Sequence, residues 1–277
     1  MKLKDKIALV TGGGSGIGRE ICLTFAREGA SVAVNDINAA SIEETIKLMG
    51  EAASRAHAVQ ADVADSQQVN RMFAAVVERY GTLDILVNNA GIAEVQGQAD
   101  YDRLNRTAEA QMAELMAGGP LKTRWEATQN LSDADWDRML RVHLYGTFYC
   151  ARAALKIMEA KNFGRIINMS SIAATEGMDG APHYAAAKAG ILGLTRSLAR
   201  EVGPFGITVN AIAPGYIETP MTAPLSEAVR GAWIMNTPTK TSGQPKDIAL
   251  AALYLADANN DFMTGQIISP CGGWWMP

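Results

Sequence analysis

The sequence predicts an α/β fold, a doubly wound parallel sheet of about seven strands with helices on both faces. Three observations carry this. Short apolar runs alternate with longer stretches of helical periodicity along the whole chain. The first run, Lys6-Ile7-Ala8-Leu9-Val10, passes straight into Thr11-Gly12-Gly13-Gly14-Ser15-Gly16-Ile17-Gly18 and then into an amphipathic stretch ending at Gly29. Strand–helix alternation of this kind needs right-handed crossovers, which make the strands parallel.

The bulk numbers set limits. No linker-like break or repeat divides the 277 residues, so 1–277 reads as a single domain. An apolar content of 48% is ample for a core, and a net charge of −4 leaves no basic footprint for nucleic acid. The three cysteines, Cys22, Cys150 and Cys271, are widely spaced, so neither a disulfide framework nor a metal site is expected. No run approaches the roughly 18 apolar residues of a membrane span, and the N-terminus lacks a signal-peptide core. A cytoplasmic protein with no membrane partner is the expectation.

The glycine turn comes first among the elements. Strand, glycine turn and helix together form the setting in which a backbone approaches a pyrophosphate, with the new helix pointing free N–H groups at it. Outside that setting the same glycines would read as a plain loop. Ser31 to Asp36 is the second strand, ending in an acid about 20 residues beyond the glycines, where a carboxylate can accept both adenosine ribose hydroxyls. Asp36 would repel a 2′-phosphate, and neither Ser15 nor Ile37 is a cation to offset that, so NAD is favoured over NADP. The alternative is an acid at the N-terminus of the helix expected over Ala39–Met49.

Ala56 to Ala61 is a third strand, closed by Asp62-Val63. A helix over Ser66–Tyr80 buries Val69, Phe73, Val76 and Val77. Leu83 to Val87 is a fourth strand, ending in Asn88-Asn89-Ala90-Gly91. Ser132-Asp133-Ala134-Asp135 has capping-box spacing and opens a long helix to about Glu159. Gly164–Met169 and Ile207–Ile212 are strands five and six, and Gln266–Ser269 is a short last strand. Helices are expected over Tyr184–Val202 and Lys246–Ala256.

The chemistry gathers in the second half. Tyr184 and Lys188 lie four residues apart on one helix face, and Ser171 lies 13 residues before Tyr184. A free phenol titrates near about 10, so a neighbouring ammonium that favours phenolate helps proton transfer near neutrality. Alone, such a pair is a weak signal; its weight comes from co-occurrence with Ser171 and the glycine turn.

Taken together, Thr11–Gly18, Asp62-Val63, Asn88–Gly91, Ser171, Tyr184 with Lys188, and Pro214-Gly215 followed by Ile217 and Thr219 resemble the short-chain dehydrogenase/reductase family, in its shorter NAD(P)-dependent subgroup. The resemblance spans nearly the whole chain and is nearest to 3-oxoacyl reductases and related secondary-alcohol dehydrogenases. It implies a Rossmann-type oxidoreductase, commonly a homotetramer. Tyr184 would be general acid/base, Ser171 would bind the substrate oxygen, and Lys188 would hold the nicotinamide ribose. Gly12, Ser15, Gly16, Ile17 and Gly18 would cradle the pyrophosphate. Asp62 and Val63 would border the adenine. Asn89, Ala90, Gly91, Pro214 and Gly215 would lie along the dinucleotide, with Ile217 and Thr219 at the carboxamide.

Two departures stand out. His143 occupies the position of the family's catalytic asparagine, which helps hold a water in a proton relay. Histidine can serve there while titrating near working pH, or it can be a satisfied buried side chain. The stretch from Gly91 to His143 is also about 30 residues longer than the family pattern, beyond ordinary loop lengths. This insertion, about residues 95–125, holds an expected helix over Ala99–Ala117 with Tyr101, Leu104, Ala108, Met112 and Leu115 on one face. It reads as a wall over the substrate or as a flap against a neighbouring subunit.

Residues 216–244 form the expected substrate lid, rich in apolar side chains, which suits a small hydrophobic alcohol or ketone. The tail ends in Trp274-Trp275, read as a subunit contact or a wall of a neighbour's pocket, with packing on the same chain as the alternative. The function expected is NAD-dependent interconversion of a secondary alcohol and a ketone. The alternatives are a 3-oxoacyl-thioester reductase and, from another class, a non-catalytic NAD-binding sensor.

Overall fold

The computed structural model describes residues 1–93 and 97–276. The elements in chain order are β1 (Ile7–Val10), α1 (Gly16–Arg27), β2 (Ser31–Asp36), α2 (Ala39–Leu48), β3 (Ala56–Gln60), α3 (Ser66–Tyr80), β4 (Ile85–Asn88) and α4 (Gly97–Met116). The short helix α5 (Ala127–Asn130), then α6 (Asp133–Leu140), α7 (Gly146–Met158), β5 (Gly164–Met169) and the short α8 (Ala173–Glu176) follow. The chain closes with α9 (Pro182–Val202), β6 (Ile207–Ile212), α10 (Glu227–Met235), α11 (Pro245–Ala256) and β7 (Ile267–Ile268).

Seven parallel strands form one sheet in the order β3-β2-β1-β4-β5-β6-β7. The expected α/β architecture is therefore present. Strand side chains alternate between two cores. Ala8, Val10, Val32, Val34, Ile85, Val87 and Ile167 pack with α1 and α11, whereas Leu9, Ala33, Leu86 and Ile166 pack with α3 and α7. Both sheet faces are covered, which is why the strand runs are mostly apolar on both faces rather than alternating. The strand order reverses between β1 and β4, so a crevice opens there at the carboxyl ends of the strands.

Local chemistry sets most boundaries. The Asp65 carboxylate accepts the Gln67 and Gln68 N–H groups at 2.7 and 3.1 Å, starting α3, and left-handed Gly81 ends it. Pro182 opens α9 two residues before the expected start at Tyr184, because proline suits a first helical turn. Ser132 Oγ accepts the Asp135 N–H at 3.1 Å, as its spacing implied.

The long helix after Ser132 is not uniform. Between α6 and α7 the chain makes a π-helical turn, Arg141–Tyr145. Such a turn holds one residue more than an α turn and re-aims the side chains within it. His143 lies in it and is turned inward to 2% exposure.

The insertion folds against its own chain. Residues 95 and 96 of it lie outside the described residues. Tyr101 is buried with Tyr216, Leu225 and Val229, and Leu104 and Ala108 pack on that cluster. Leu115, also on the expected apolar face, is exposed. The Glu114 carboxylate turns the segment back by accepting the Lys122 N–H at 2.7 Å and the Thr123 hydroxyl at 2.8 Å. No described helix is long and apolar enough to cross a membrane.

Candidate active site

Three adjoining cavities run across the crevice at the carboxyl ends of β1 and β4. The first, about 460 Å³, is bordered by Asp36, Ile37, Asp62, Val63 and Ala90. The second, about 310 Å³, is bordered by Ser15, Gly16, Ile17, Asn89, His143, Lys188, Pro214 and Thr219. Gly12, Asp36 and Gly91 belong to both. The third, about 580 Å³, shares Ser171, Tyr184, Gly215 and Ile217 with the second. The crevice thus gathers every sequence-predicted site residue except Gly18.

Gly18 acts beneath the surface. A Cβ there would overlap the Gly12 carbonyl oxygen, so only glycine lets α1 pack this close to the turn. Gly12 has φ +63°, and a Cβ on it would fall 2.8 Å from Ala90 Cα. The turn is braced from β4: Asn89 Nδ2 donates to the Thr11 and Gly12 carbonyls at 3.0 and 3.2 Å. Thr11 Oγ1 accepts the Asn89 and Ala90 N–H groups, both at 3.0 Å.

Asp36 reaches back from the end of β2. Its Oδ2 accepts the Gly14 N–H at 3.0 Å and its Oδ1 accepts the Asn38 N–H at 3.0 Å. The cap of α2 is Asn38, which accepts the Ser41 N–H at 3.2 Å, so helix capping is not the task of Asp36.

Around the second cavity, the segment after β5 supplies Ser171 and α9 supplies Tyr184 and Lys188. Lys188 Nζ is buried and donates to the Met169 carbonyl at 2.9 Å, lying 5.5 Å from the centroid of the Tyr184 ring. Burial lowers its pKa from the ordinary 10.5 to about 7. In the chain alone Lys188 is therefore only partly charged near neutrality; negative charge entering the cavity would restore the ammonium. Ser171 Oγ accepts the Ala173 N–H at 3.2 Å, leaving its own hydrogen to donate.

The His143 Nε2 lies 3.1 Å from the Ile92 nitrogen and 3.0 Å from the Ile92 oxygen, and its ring packs edge-on to Tyr184. Burial first, then the Lys188 charge, pushes its pKa well below the ordinary histidine value. That direction favours the neutral imidazole and opposes titration near working pH. Its Nδ1 is buried without a hydrogen-bond partner among the described residues.

Some lining residues escaped the sequence reading. Arg138 and Arg141 border the first cavity, and Ser170, Pro220 and Thr222 border the second. The arginines stand five and two residues before His143, offsets that do not share its helical face, so the sequence carried no signal for them. Trp274 lines its own chain's third cavity, 6.4 Å from Trp233 between ring centroids, which matches the same-chain alternative for the tail.

The crevice fits a dinucleotide. Ser15 makes no side-chain capping bond, which leaves the first N–H groups of α1 to a ligand or water. Gly14 lacks the Cβ that would collide with Asp36 Oδ2 at 2.7 Å. A strand-order crevice with a Gly-rich turn and a Ser–Tyr–Lys set at one end defines a nucleotide-dependent oxidoreductase.

Comparison with known proteins agrees. Residues 6–116 match the family described as short chain dehydrogenase, and residues 115–274 match that described as enoyl-(acyl carrier protein) reductase. A hydroxy(phenyl)methylsuccinyl-CoA dehydrogenase subunit, BbsD, of Thauera aromatica is 37% identical, over 99% of this chain and 98% of its own. The 3-oxoacyl-acyl-carrier-protein reductase FabG of Staphylococcus aureus is 38% identical, covering 98% of each chain. The structure of levodione reductase superposes with a TM-score of 0.84 at 30% identity, covering 98% of each chain. The chain belongs to the short-chain dehydrogenase family. It is an oxidoreductase acting on CH–OH and keto groups with a nicotinamide dinucleotide.

Proposed function

We propose that this chain is an NAD-dependent oxidoreductase interconverting a secondary alcohol and a ketone on a small hydrophobic substrate, with Tyr184 as general acid/base. The observation that carries the NAD preference is the Asp36 carboxylate, fixed by the Gly14 and Asn38 N–H groups and facing two cavities. An anion held there accepts ribose hydroxyls and repels a 2′-phosphate.

The bound dinucleotide supplies a hydride acceptor or donor. Gly12, Ser15, Gly16 and Ile17 would hold its phosphates, Asp62, Val63 and Ala90 would flank its adenine, and Asn89, Gly91, Pro214, Gly215, Ile217 and Thr219 would line the remainder. Ser171 donates to the substrate oxygen and fixes it. During oxidation Tyr184 takes the proton of the substrate hydroxyl at its phenolic oxygen; during reduction it returns that proton to the substrate oxygen. Lys188, one turn along α9, favours the phenolate by its charge. His143 positions rather than titrates: it ties the Ile92 backbone to the flank of Tyr184.

A second reading, a 3-oxoacyl-thioester reductase, draws on the relatives named for such substrates. A homotetramer belongs to the same proposal, supported by the exposed Tyr145 and Phe148 at the start of α7. The test is the formation of reduced dinucleotide from secondary alcohols, with NAD and NADP in parallel. NAD should be preferred, and Tyr184→Phe should abolish turnover while dinucleotide binding persists. Unchanged turnover in Tyr184→Phe would remove Tyr184 as the acid/base, and dinucleotide binding with no turnover of any alcohol in the wild type would revive the sensor reading.

A further inference from the structure

We infer that the third cavity is built for an uncharged, ring-bearing secondary alcohol or ketone and selects against linear and anionic acyl substrates. This rests on the proposed function and names its substrate class.

Shape is the first argument. Tyr216 and Trp233 meet with ring centroids 5.6 Å apart at 73°, and Trp233 meets Trp274 at 6.4 Å and 65°. The three rings come from the segment after β6, from α10 and from the C-terminal tail, and together they form one aromatic wall of the cavity. Trp125, from the insertion, also lines it, packed so tightly on Gly180 that a Cβ there would fall 3.0 Å from the indole. Planar walls reward a planar or cyclic ligand through ring–ring contact, which a linear acyl chain cannot exploit.

Charge is the second argument. The described lining holds two carboxylates, Glu176 and Asp179, and no Lys, Arg or His. Arg230, which hydrogen-bonds the Tyr216 side chain, is not among the lining residues. Arg124 lines an adjoining groove, which shares Trp125, Met178 and Asp179 with the cavity and sets Glu126 and Asp179 beside that cation. An anion entering here would lose water, meet two carboxylates and gain no cationic partner from the described lining.

Rigidity is the third argument. Tyr101 Oη donates to the Met221 carbonyl at 2.9 Å. Asn105 pairs twice with the lid, donating to the Pro224 carbonyl at 3.1 Å and accepting the Ser226 N–H at 3.0 Å. The insertion therefore braces the segment that would have to spread for a long chain.

The experiment measures kcat/KM of the full chain, with its preferred dinucleotide, for phenylethanol, tetralol, hydroxybutyrate, hydroxybutyryl N-acetylcysteamine thioester and hydroxybutyryl-CoA. The aryl alcohols should lead the neutral linear thioester by about tenfold or more, with the carboxylate and the CoA ester lower still. Trp233→Leu and Trp274→Leu should each reduce aryl kcat/KM by roughly three- to tenfold, through KM. Titration with reduced dinucleotide, read by its fluorescence, should stay unchanged in both variants and so verify folding. Calorimetry with tetralone reads the cavity without turnover: binding should weaken in both variants. Equal or faster turnover of any linear substrate overturns the inference and leaves the oxidoreductase proposal standing. If no alcohol is turned over, the function proposal fails, and tetralone binding alone then decides this one: Trp-dependent binding upholds it and no binding overturns it.

Discussion

The imidazole of His143 stands edge-on to the phenol ring of Tyr184, centroids 5.4 Å apart and planes at 86°. The same imidazole grips the Ile92 backbone through Nε2. The π-helical turn thus joins the loop after β4 to the side of Tyr184. A residue placed this way aims Tyr184 through contact, and its neutrality keeps a competing charge away from Lys188.

Replacing His143 with Asn should therefore leave the shape of the pH–rate profile unchanged between about pH 6 and 8, because no titrating group is lost there. Stability should respond at lower pH. A histidine held neutral in the fold has a depressed pKa, so the stability present above its unfolded value is lost as pH falls below about 6.5. Melting temperatures against pH should decline less steeply in His143→Asn than in wild type. A shifted profile with parallel melting curves would sink this account.

Lys188 has its own window. Its folded pKa is about 7 against an ordinary 10.5, so between those values the unfolded chain holds the extra proton. Its influence on stability thus improves as pH rises through that window. Without dinucleotide, Lys188→Met should compare best with wild type near pH 7 and lose ground toward about pH 10. Turnover should fall by about two orders of magnitude.

Asp36→Asn keeps an oxygen for the Gly14 N–H but removes the charge. The ratio of kcat/KM for NADP over NAD should rise by about tenfold or more, mostly because NADP improves. Fluorescence titration with both reduced dinucleotides checks it; an unchanged ratio would place the selectivity elsewhere.

Asn105→Ala should unfasten the insertion from the lid. Losing two hydrogen bonds to backbone groups is worth about 1–3 kcal/mol of local closure. KM for the alcohol should rise while KM for NAD holds. Equal rises in both would mean that the brace supports the entire crevice.

Much of the fold was legible because its signals are local. Ile7–Val10 is apolar throughout and Gly164–Met169 largely so, with Arg165 and Asn168 as exceptions, and Asp36, Ser171, Tyr184 and Lys188 sit at fixed distances from recognisable turns. The π turn was not legible, since five residues cannot distinguish a π turn from an α one by periodicity. Nor was the neutrality of His143, which depends on what buries it. The destination of Trp274 depends on Trp233, 41 residues away, and no pattern within the tail specifies that partner.

The pairing of Asn105 with Ser226 joins positions 121 residues apart. Neither half of that wall has its shape without the other. Transplanting α4 alone into a relative with a shorter loop would deliver a helix with nothing to lean on, and exchanging the segment after Gly215 alone would strand Tyr101 and Asn105. The two stretches form a unit of inheritance, and a chimaera that changes substrate choice has to carry both.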